Sequence, residues 1–500
     1  MTITFTTPPS SADGARHHLQ AATGNVEAAE RASSALRASL SGAAEYDKIL
    51  LRAAAGAGKS YALVRMVTEA LDQAGCARVA VTAFANKQIF PLAGDLGRTL
   101  GADQVCLFVA ADRLPEVHPE VRARVTIATT TAGIPDTCAV VLGTSHKLGA
   151  LGEPGRLLDH LGCGGNGTLP FDVLFVDEAW QLPRHRYSKV EGLAPISVGV
   201  GDVGQLPPID PSQNPWRGDP GYNPYRAWPT AYADRETTCV VDLPAVWRPT
   251  PPQLALWRAF YSDWDQLDCV AAPGDRSVEL PPLTGAPAAV WASVASGAPT
   301  LVEVDGLPAP EAADVDLPLL GVVEELLTPL LAGGFTTVTR RYDGTGAPLG
   351  EVRTKSAAPD GDPLIVILAT RNQAVDDAAD LVARLTEAYD LPPGVLVAST
   401  VDSWQGQTNA LTVAIHPLSG AEQLDEFNSA FGRLAVTCTR ATHGLLLLAR
   451  SGLDEMLDRA PARPGTPLGE PGSRSLPRQT HQRILAAFSR GALSSVDLTV

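Results

Sequence analysis

The chain has 500 residues, 45% of them hydrophobic, and a formal net charge of −16 at pH 7. That length exceeds one ordinary core and points to two or three domains, and the composition is globular rather than disordered. The negative charge excludes a generally basic polyanion binder, so any polyanion would have to be held by a local cleft.

Seven cysteines, odd in number and without C-x-x-C spacing, point to buried reduced thiols, and the nine histidines are too scattered for a metal cage. The start, "MTITFTTPPSSADG", has neither the basic nor the apolar run of a signal peptide. No segment approaches the roughly 20 apolar residues of a membrane span. The expectation is a cytoplasmic protein with no membrane partner.

In chain order, residues 1–45 read as an N-terminal arm followed by Ala-rich helix. From 46 to 238, short apolar runs alternate with helical stretches, the texture of a parallel α/β sheet. The runs are "KILLRAA", "RVAVTAF", "RVTIATT", "AVVLGTS", "VLFVDEA" and "ISVGVGD". A Pro- and Trp-rich loop spans 207–229. A second α/β texture covers 239–460, beginning at "TTCVVDLPAVWRP", with an excursion at about 265–360 that holds a hairpin around "DGTG". Residues 461–500 read as a flexible C-terminal tail, a candidate tether for a protein partner.

The stretch "KILLRAAAGAGKSYALVRMVTEAL" is strand, glycine-containing loop and amphipathic helix, the context of a phosphate loop. Gly56, Ala57 and Gly58 would present backbone N–H groups to phosphate oxygens, Lys59 would reach the β- and γ-phosphates, and Ser60 would ligate Mg²⁺. Ala53 stands where the usual pattern has glycine, which a negative φ would allow. Such a loop needs an acid for the metal and a base for the attacking water. "FDVLFVDEAWQLP" offers Asp177 and Glu178 at the end of an apolar strand, and "SVGVGDVGQLPP" ends another in Gly201, Asp202 and Gln205. Gln205 is a candidate hydrogen-bond partner of the γ-phosphate or the water.

Asp177-Glu178-Ala179 with Gln181, followed by G-D-x-x-Q-L-P-P, resembles motifs II and III of superfamily 1 helicases, in the form of the 1B branch with its RecD-type and nonsense-decay-factor-type members. In that company an alanine in place of the first phosphate-loop glycine is common. Further stretches match in order. "VTAFANKQ" resembles motif Ia, implying that Phe84, Asn86 and Lys87 touch single-stranded nucleic acid. An aromatic face can stack on any base, though Phe84 also reads as a core position. "VVLGTSHKL" implies Thr144 and Ser145 as phosphate contacts. "VWRP" implies Trp247 stacking on the nucleotide base and Arg248 on the γ-phosphate. "ILATRNQAVDDAADLVARL" resembles motif IV, "STVDSWQGQT" motif V with Thr400 and Gly406, and "GRLAVTCTRA" motif VI with Arg440 as a second arginine on the γ-phosphate. Thr408 stands where relatives commonly carry glutamate near the nucleotide sugar.

The resemblance implies two RecA-like P-loop domains that couple ATP hydrolysis, with Mg²⁺, to 5′-to-3′ movement along single-stranded DNA or RNA. A rival reading is an ATP-gated scaffold or effector without processive unwinding. Two basic stretches, Arg184–Lys189 and Arg340/Arg341, are either accessory strand contacts or solvated loop charge.

Overall fold

The computed structural model describes residues 3–6, 14–208, 214–216, 223–262, 264, 266–312, 315–355, 363–370, 372–424, 428, 431–460 and 477–497. The chain divides into two compact units. The first comprises Gly24–Val203 and Pro207–Pro244; the second comprises Met1–Thr23, Gly204–Leu206 and Ala245–Val500.

The first unit is built on eight strands: β1 (Lys48–Ala53), β2 (Val79–Ala83), β3 (Val105–Phe108), β4 (Thr126–Ala128), β5 (Val140–Thr144), β6 (Val173–Asp177), β7 (Ile196–Asp202) and β8 (Thr238–Asp242). They form one sheet in the order β4-β3-β5-β2-β6-β7-β1-β8, and every pairing is parallel. β2, β3, β6 and β7 are buried along their whole length, and β1 and β5 at all but one residue, which is why the sequence shows continuous apolar runs rather than alternation. Parallel strands require crossovers, and helices between the strands contribute to them: α2 (Lys59–Leu71), α3 (Asn86–Leu100), α4 (Pro119–Arg122), α5 (Ser145–Leu148), α6 (Glu153–Leu161) and α7 (Arg184–Tyr187), while α1 (His18–Leu40, from Gly24 onward) precedes the first strand. The core around Val141, Leu174 and Val176 is closed by Trp228, whose ring stacks 4.0 Å from that of Tyr187.

The second unit contains the remaining elements. β9 (Ala245–Val246) and β10 (Asp268–Cys269) form a small parallel pair. β11 (Arg276–Glu279), β13 (Thr336–Tyr342) and β14 (Pro348–Thr354) form an antiparallel sheet. β12 (Pro299–Asp305), β15 (Ile365–Ala369), β16 (Leu396–Thr400), β17 (Asn409–Ile415), β18 (Ala441–Arg450) and β19 (Ser489–Ser494) make a six-stranded parallel sheet in the order β16-β15-β17-β18-β12-β19. Its helices are α8 (Leu254–Phe260), α9 (Gly285–Ala295), α10 (Leu317–Gly333), α11 (Asn372–Ala388), α12 (Gly432–Cys438), α13 (Leu453–Arg459) and α14 (Pro477–Leu485). The core gathers Trp291, a row of leucines on α10, and the inner residues of β15, β17 and β18.

The fold is α/β, with one parallel sheet in each of the two units and an antiparallel hairpin in the second. Three local expectations differ. Thr238–Asp242, read as the start of the second domain, is the edge strand of the first sheet: it pairs with β1, and Arg52 clasps Asp242 at 2.6 and 2.7 Å. The excursion at about 265–360 holds β12, a central strand of the second sheet. The segment read as a flexible tail from 461 lies partly outside the described residues, but α14 packs Ile484 and Leu485 inward and β19 pairs with β12. In all three, the partner strand is remote in sequence, so a local pattern could not reveal it. Residues 3–6 of the arm also lie against β19, where Thr6 bridges Arg490.

Five of the seven cysteines are buried, Cys239 is half-buried and Cys163 is exposed, and none is in a disulfide. No helix among the described residues is long and apolar enough to cross a membrane.

Candidate functional site

Because all strands of the first sheet run the same way, their C-terminal ends share one edge, where α/β proteins place ligands. The loop leaving β1 turns through Gly56 (φ +71°) and Gly58 (φ +93°, ψ +27°) into α2. Both conformations are left-handed and favour glycine. Ala53 is the last residue of β1, fully buried and without a positive φ, so its methyl group is accommodated. Asn25, 7% exposed on α1, donates from Nδ2 to the carbonyl of Ala57 at 3.0 Å and props the loop from behind. Nothing local in the sequence marks that residue as part of the site.

Lys59 Nζ lies 3.2 Å from Glu178 Oε1 and 3.6 Å from Asp202 Oδ2. Burial works against the ammonium, but the charges of Glu178, Asp202 and Asp177 outweigh it and raise the lysine pKa above its usual value. Asp177 ends β6, one strand removed from β1. Burial and then the neighbouring Glu178 carboxylate push its pKa up to about 7, with Lys59 acting the other way. Glu178 itself sits at φ +49°, ψ +46°, a left-handed conformation that costs a non-glycine residue on the order of 1 kcal/mol. The turn lies directly on β7: a Cβ on Gly201 would come 2.8 Å from the backbone nitrogen of Ala179 and the ring of Trp180. Asp202, named in the sequence at the end of its strand but given no role there, earns its place by register, since it pairs with Ala53 at the mouth of the loop.

Three carboxylates around one lysine leave an excess of negative charge, which suits a divalent cation. Ser60, exposed at the start of α2, and Asp177 offer the oxygen ligands that Mg²⁺ takes. Among the described residues no group of three or more His, Cys, Asp or Glu is arranged to hold a metal by itself.

The expected strand contacts gather farther along the same edge, at the ends of β2 and β5. β2 is three strand positions from β1, about 14 Å at ordinary strand spacing. Phe84 is half-buried and meets the exposed His146 edge-on, ring centroids 6.0 Å apart. Asn86 and exposed Lys87 open α3. Thr144 caps α5 by accepting from the Lys147 N–H at 3.3 Å. Ser145 differs from expectation: at 1% exposure its hydroxyl faces the interior, because the first turn of α5 points it back at the sheet, and His146 takes the outward position. Burial and then Arg186, Lys189 and His185 depress the His146 pKa, so the basic stretch on and after α7 lies beside this contact. Tyr187 of the same helix is fully buried and anchors it.

The other expected residues belong to the second unit. Arg248 donates from Nη1 to the Thr439 carbonyl at 2.9 Å. Half-buried Arg276 donates to the carbonyls of Trp247, Arg248 and Pro249, which fixes the backbone that carries both named side chains. Trp247 is half-buried against Ala21, Ala22, Ala245 and Val270. Arg440 is 1% exposed and donates to Val436 O at 3.0 Å, Gln407 O at 3.4 Å and Thr439 Oγ1 at 2.9 Å. Gln205 is grouped here too, with long 3.5 Å contacts to Thr439 Oγ1 and to Gln405. Thr439 is thus a common partner of Gln205, Arg248 and Arg440, a role the sequence reading did not assign. Thr400 accepts from Ser403 N–H at 3.0 Å, and Gly406 (φ +87°) turns the loop between β16 and β17. Arg340, read in the sequence as a strand contact or solvated loop charge, pairs with Glu351 at 2.8 Å and with buried Asp275 at 3.6 Å.

No protein-family model matches the chain, and no curated protein matches it. Among solved structures it is similar to the PRRSV helicase, at 14% identity and a TM-score of 0.36 over 83% of this chain and 56% of that one. It is also similar to the arterivirus nonstructural protein 10 helicase in complex with DNA, at 13% identity and 0.38 over 86% and 65%. A third is the DUF1998 helicase MrfA bound to DNA and AMPPNP, at 10% identity and 0.39 over 90% and 52%. The chain therefore spans between 52% and 65% of the lengths of these proteins.

Proposed function

We propose that this chain is an ATP hydrolase of the helicase type that moves along single-stranded nucleic acid, with 5′-to-3′ travel implied by its 1B-like motifs. The observation that carries the reading is the packing of Lys59 against Glu178 and Asp202, beside Asp177 and a loop turned by two left-handed glycines. Backbone N–H groups of the loop and the start of α2 hold the phosphates, and Lys59 exchanges its carboxylate partners for phosphate oxygens. Glu178 then orients the attacking water and accepts its proton. Ser60 and Asp177 would hold Mg²⁺, which would supply neutralisation of the charge that develops on the phosphoryl group. The motif resemblance gives Arg248 and Arg440 of the second unit the role of stabilising charge on a transferring phosphoryl group. Phe84, Asn86, Lys87 and the neighbouring basic residues hold the strand by stacking and phosphate contacts.

The test is ATP hydrolysis by the full chain with and without matched DNA and RNA oligonucleotides, followed by a polarity assay on the better one. Stimulation by a strand is expected; turnover indifferent to both strands would sink the motor reading. Glu178→Gln should bind ATP yet turn it over about 10²-fold more slowly or worse. Loss of nucleotide binding in that variant, with the fold intact, would show that Glu178 has another role.

A further inference from the structure

A row of polar contacts in the first unit joins the strand-contact segment to the hydrolytic carboxylate. The Ala85 N–H donates to Gln88 Oε1 at 3.0 Å. Gln88 Nε2 donates to Gln181 Oε1 at 2.9 Å. Gln181 Nε2 donates to Glu178 Oε2 at 3.0 Å, while the other Glu178 oxygen faces Lys59. The two ends fix the direction of the row. A backbone N–H can only donate and a carboxylate can only accept, so both amides must turn their carbonyls toward Ala85 and their NH₂ groups toward Glu178. No flipped arrangement of either amide satisfies both neighbours.

Ala85 lies between Phe84 and Asn86 and is the extended residue from which α3 starts (φ −127°, ψ +151°). A base stacked on Phe84 or a phosphate held by Asn86 and Lys87 acts on that backbone first. Bonds of 2.9–3.0 Å are already at their optimum, so a small displacement of Ala85 N–H must be followed by Gln88 and Gln181 or break the row. Hydrogen bonds in series also polarise one another, which ties the far end to the near one. At the far end Glu178 is poised on a left-handed backbone between Gln181 and Lys59, where a change of one partner reorients the carboxylate.

We propose that Gln88 and Gln181 are positioning residues that carry strand occupancy at Phe84–Lys87 to the Glu178 carboxylate, so that strand-stimulated hydrolysis runs through these two amides. The proposal rests on the reading of a strand-stimulated ATP hydrolase given above.

The experiment measures turnover, nucleotide KM and strand affinity of the full chain, using a dT oligonucleotide and its RNA counterpart. Gln88→Met keeps the length and volume of the side chain but neither accepts nor donates. Its basal turnover and strand affinity should stay near wild type, while stimulation falls about threefold to tenfold, the worth of one hydrogen bond of roughly 1 kcal/mol. Gln88→Glu can accept from Ala85 but cannot donate to Gln181, so it should be uncoupled in the same way although polar. The double variant Gln88→Met, Gln181→Met should lose no more stimulation than Gln181→Met alone, because both act in one series. Full stimulation in Gln88→Met overturns the relay, as does a loss explained wholly by weaker strand affinity. A wild-type chain that neither strand stimulates fails the functional reading itself, and the relay with it.

Discussion

Lys59 and Glu178 form an ion pair at 3.2 Å, with side chains only 12% and 14% exposed. The lysine proposed to bind phosphate and the candidate base therefore restrain each other in the ligand-free protein. Two expected consequences follow from removing Lys59. Lys59→Ala should abolish hydrolysis, and near-normal turnover in a clean preparation would remove the loop from the site. It also leaves Glu178 and Asp202 nearly buried without their cation, so the ligand-free protein should lose about 3 kcal/mol. Denaturant unfolding of the variant and the wild type at one pH measures it.

The two arginines should separate by where their side chains sit. Half-buried Arg248 bonds through one nitrogen to a backbone carbonyl, so Arg248→Ala should cut turnover with little change in thermal stability. Arg440 is buried to 1% and serves two carbonyls and a hydroxyl. Arg440→Ala should cut turnover far more than nucleotide affinity and also destabilise the protein by about 2 kcal/mol or more, through lost bonds and a cavity. Unchanged turnover in either variant would take that arginine out of the mechanism.

Acid should destabilise the second unit in a defined window. Burial, then His481 and Arg490, depress the His416 pKa to about 3; burial and then Arg276 bring His443 to about 3 as well. Both are bases whose folded values lie below the unfolded value of roughly 6.5, so the unfolded chain binds the protons. Their contribution is intact above pH 6.5 and is lost as the pH falls toward 3. Each contributes a slope of up to about 1.4 kcal/mol per pH unit. Urea titrations between pH 7 and pH 5 should show this, and His416→Asn or His443→Gln should each remove about one proton from it.

The basic residues beside His146 should act on the strand through its phosphates. Arg186→Ala with Lys189→Ala is expected to weaken binding equally across sequences and lower the salt dependence by about 0.7 per lost phosphate contact. Phe84→Ala should instead cost about 1–3 kcal/mol with little change in salt dependence, because it removes a stacking surface. Titrations at several salt concentrations distinguish the two. A salt slope unchanged in the double variant would return Arg184–Lys189 to plain surface charge.

What could be read from the residues in order was whatever depends on near neighbours. The apolar runs of β1, β2, β5, β6 and β7 announced buried parallel strands because each is buried on both faces. The glycine turn into α2, the candidate phosphate loop, was legible because its turn, its two glycines and its helix start are consecutive. Asp177 and Glu178 stood out because carboxylates directly after an apolar strand are costly unless they serve a site. The motif order then supplied candidates for the remaining roles, including Arg248 and Arg440.

Pairing between distant segments was decided only in three dimensions. Thr238–Asp242 joined the first sheet and Ser489–Ser494 the second because edge backbone groups must find partners, and no local pattern says which. Asp202 became a partner of Lys59 through the β1–β7 register, and Asn25 reached the loop from a helix that precedes the sheet. Ser145 turned inward and His146 outward because a helix start fixes side-chain direction more finely than a motif does. The Gln88–Gln181 contact joins residues 93 positions apart, and its bond of 2.9 Å follows from adjacent parallel strands whose ends share one edge of the sheet. The sequence by itself determined which chemistry the chain carries; tertiary structure decided which of those groups meet, because hydrogen bonds and ion pairs act over a few ångströms whatever the separation along the chain.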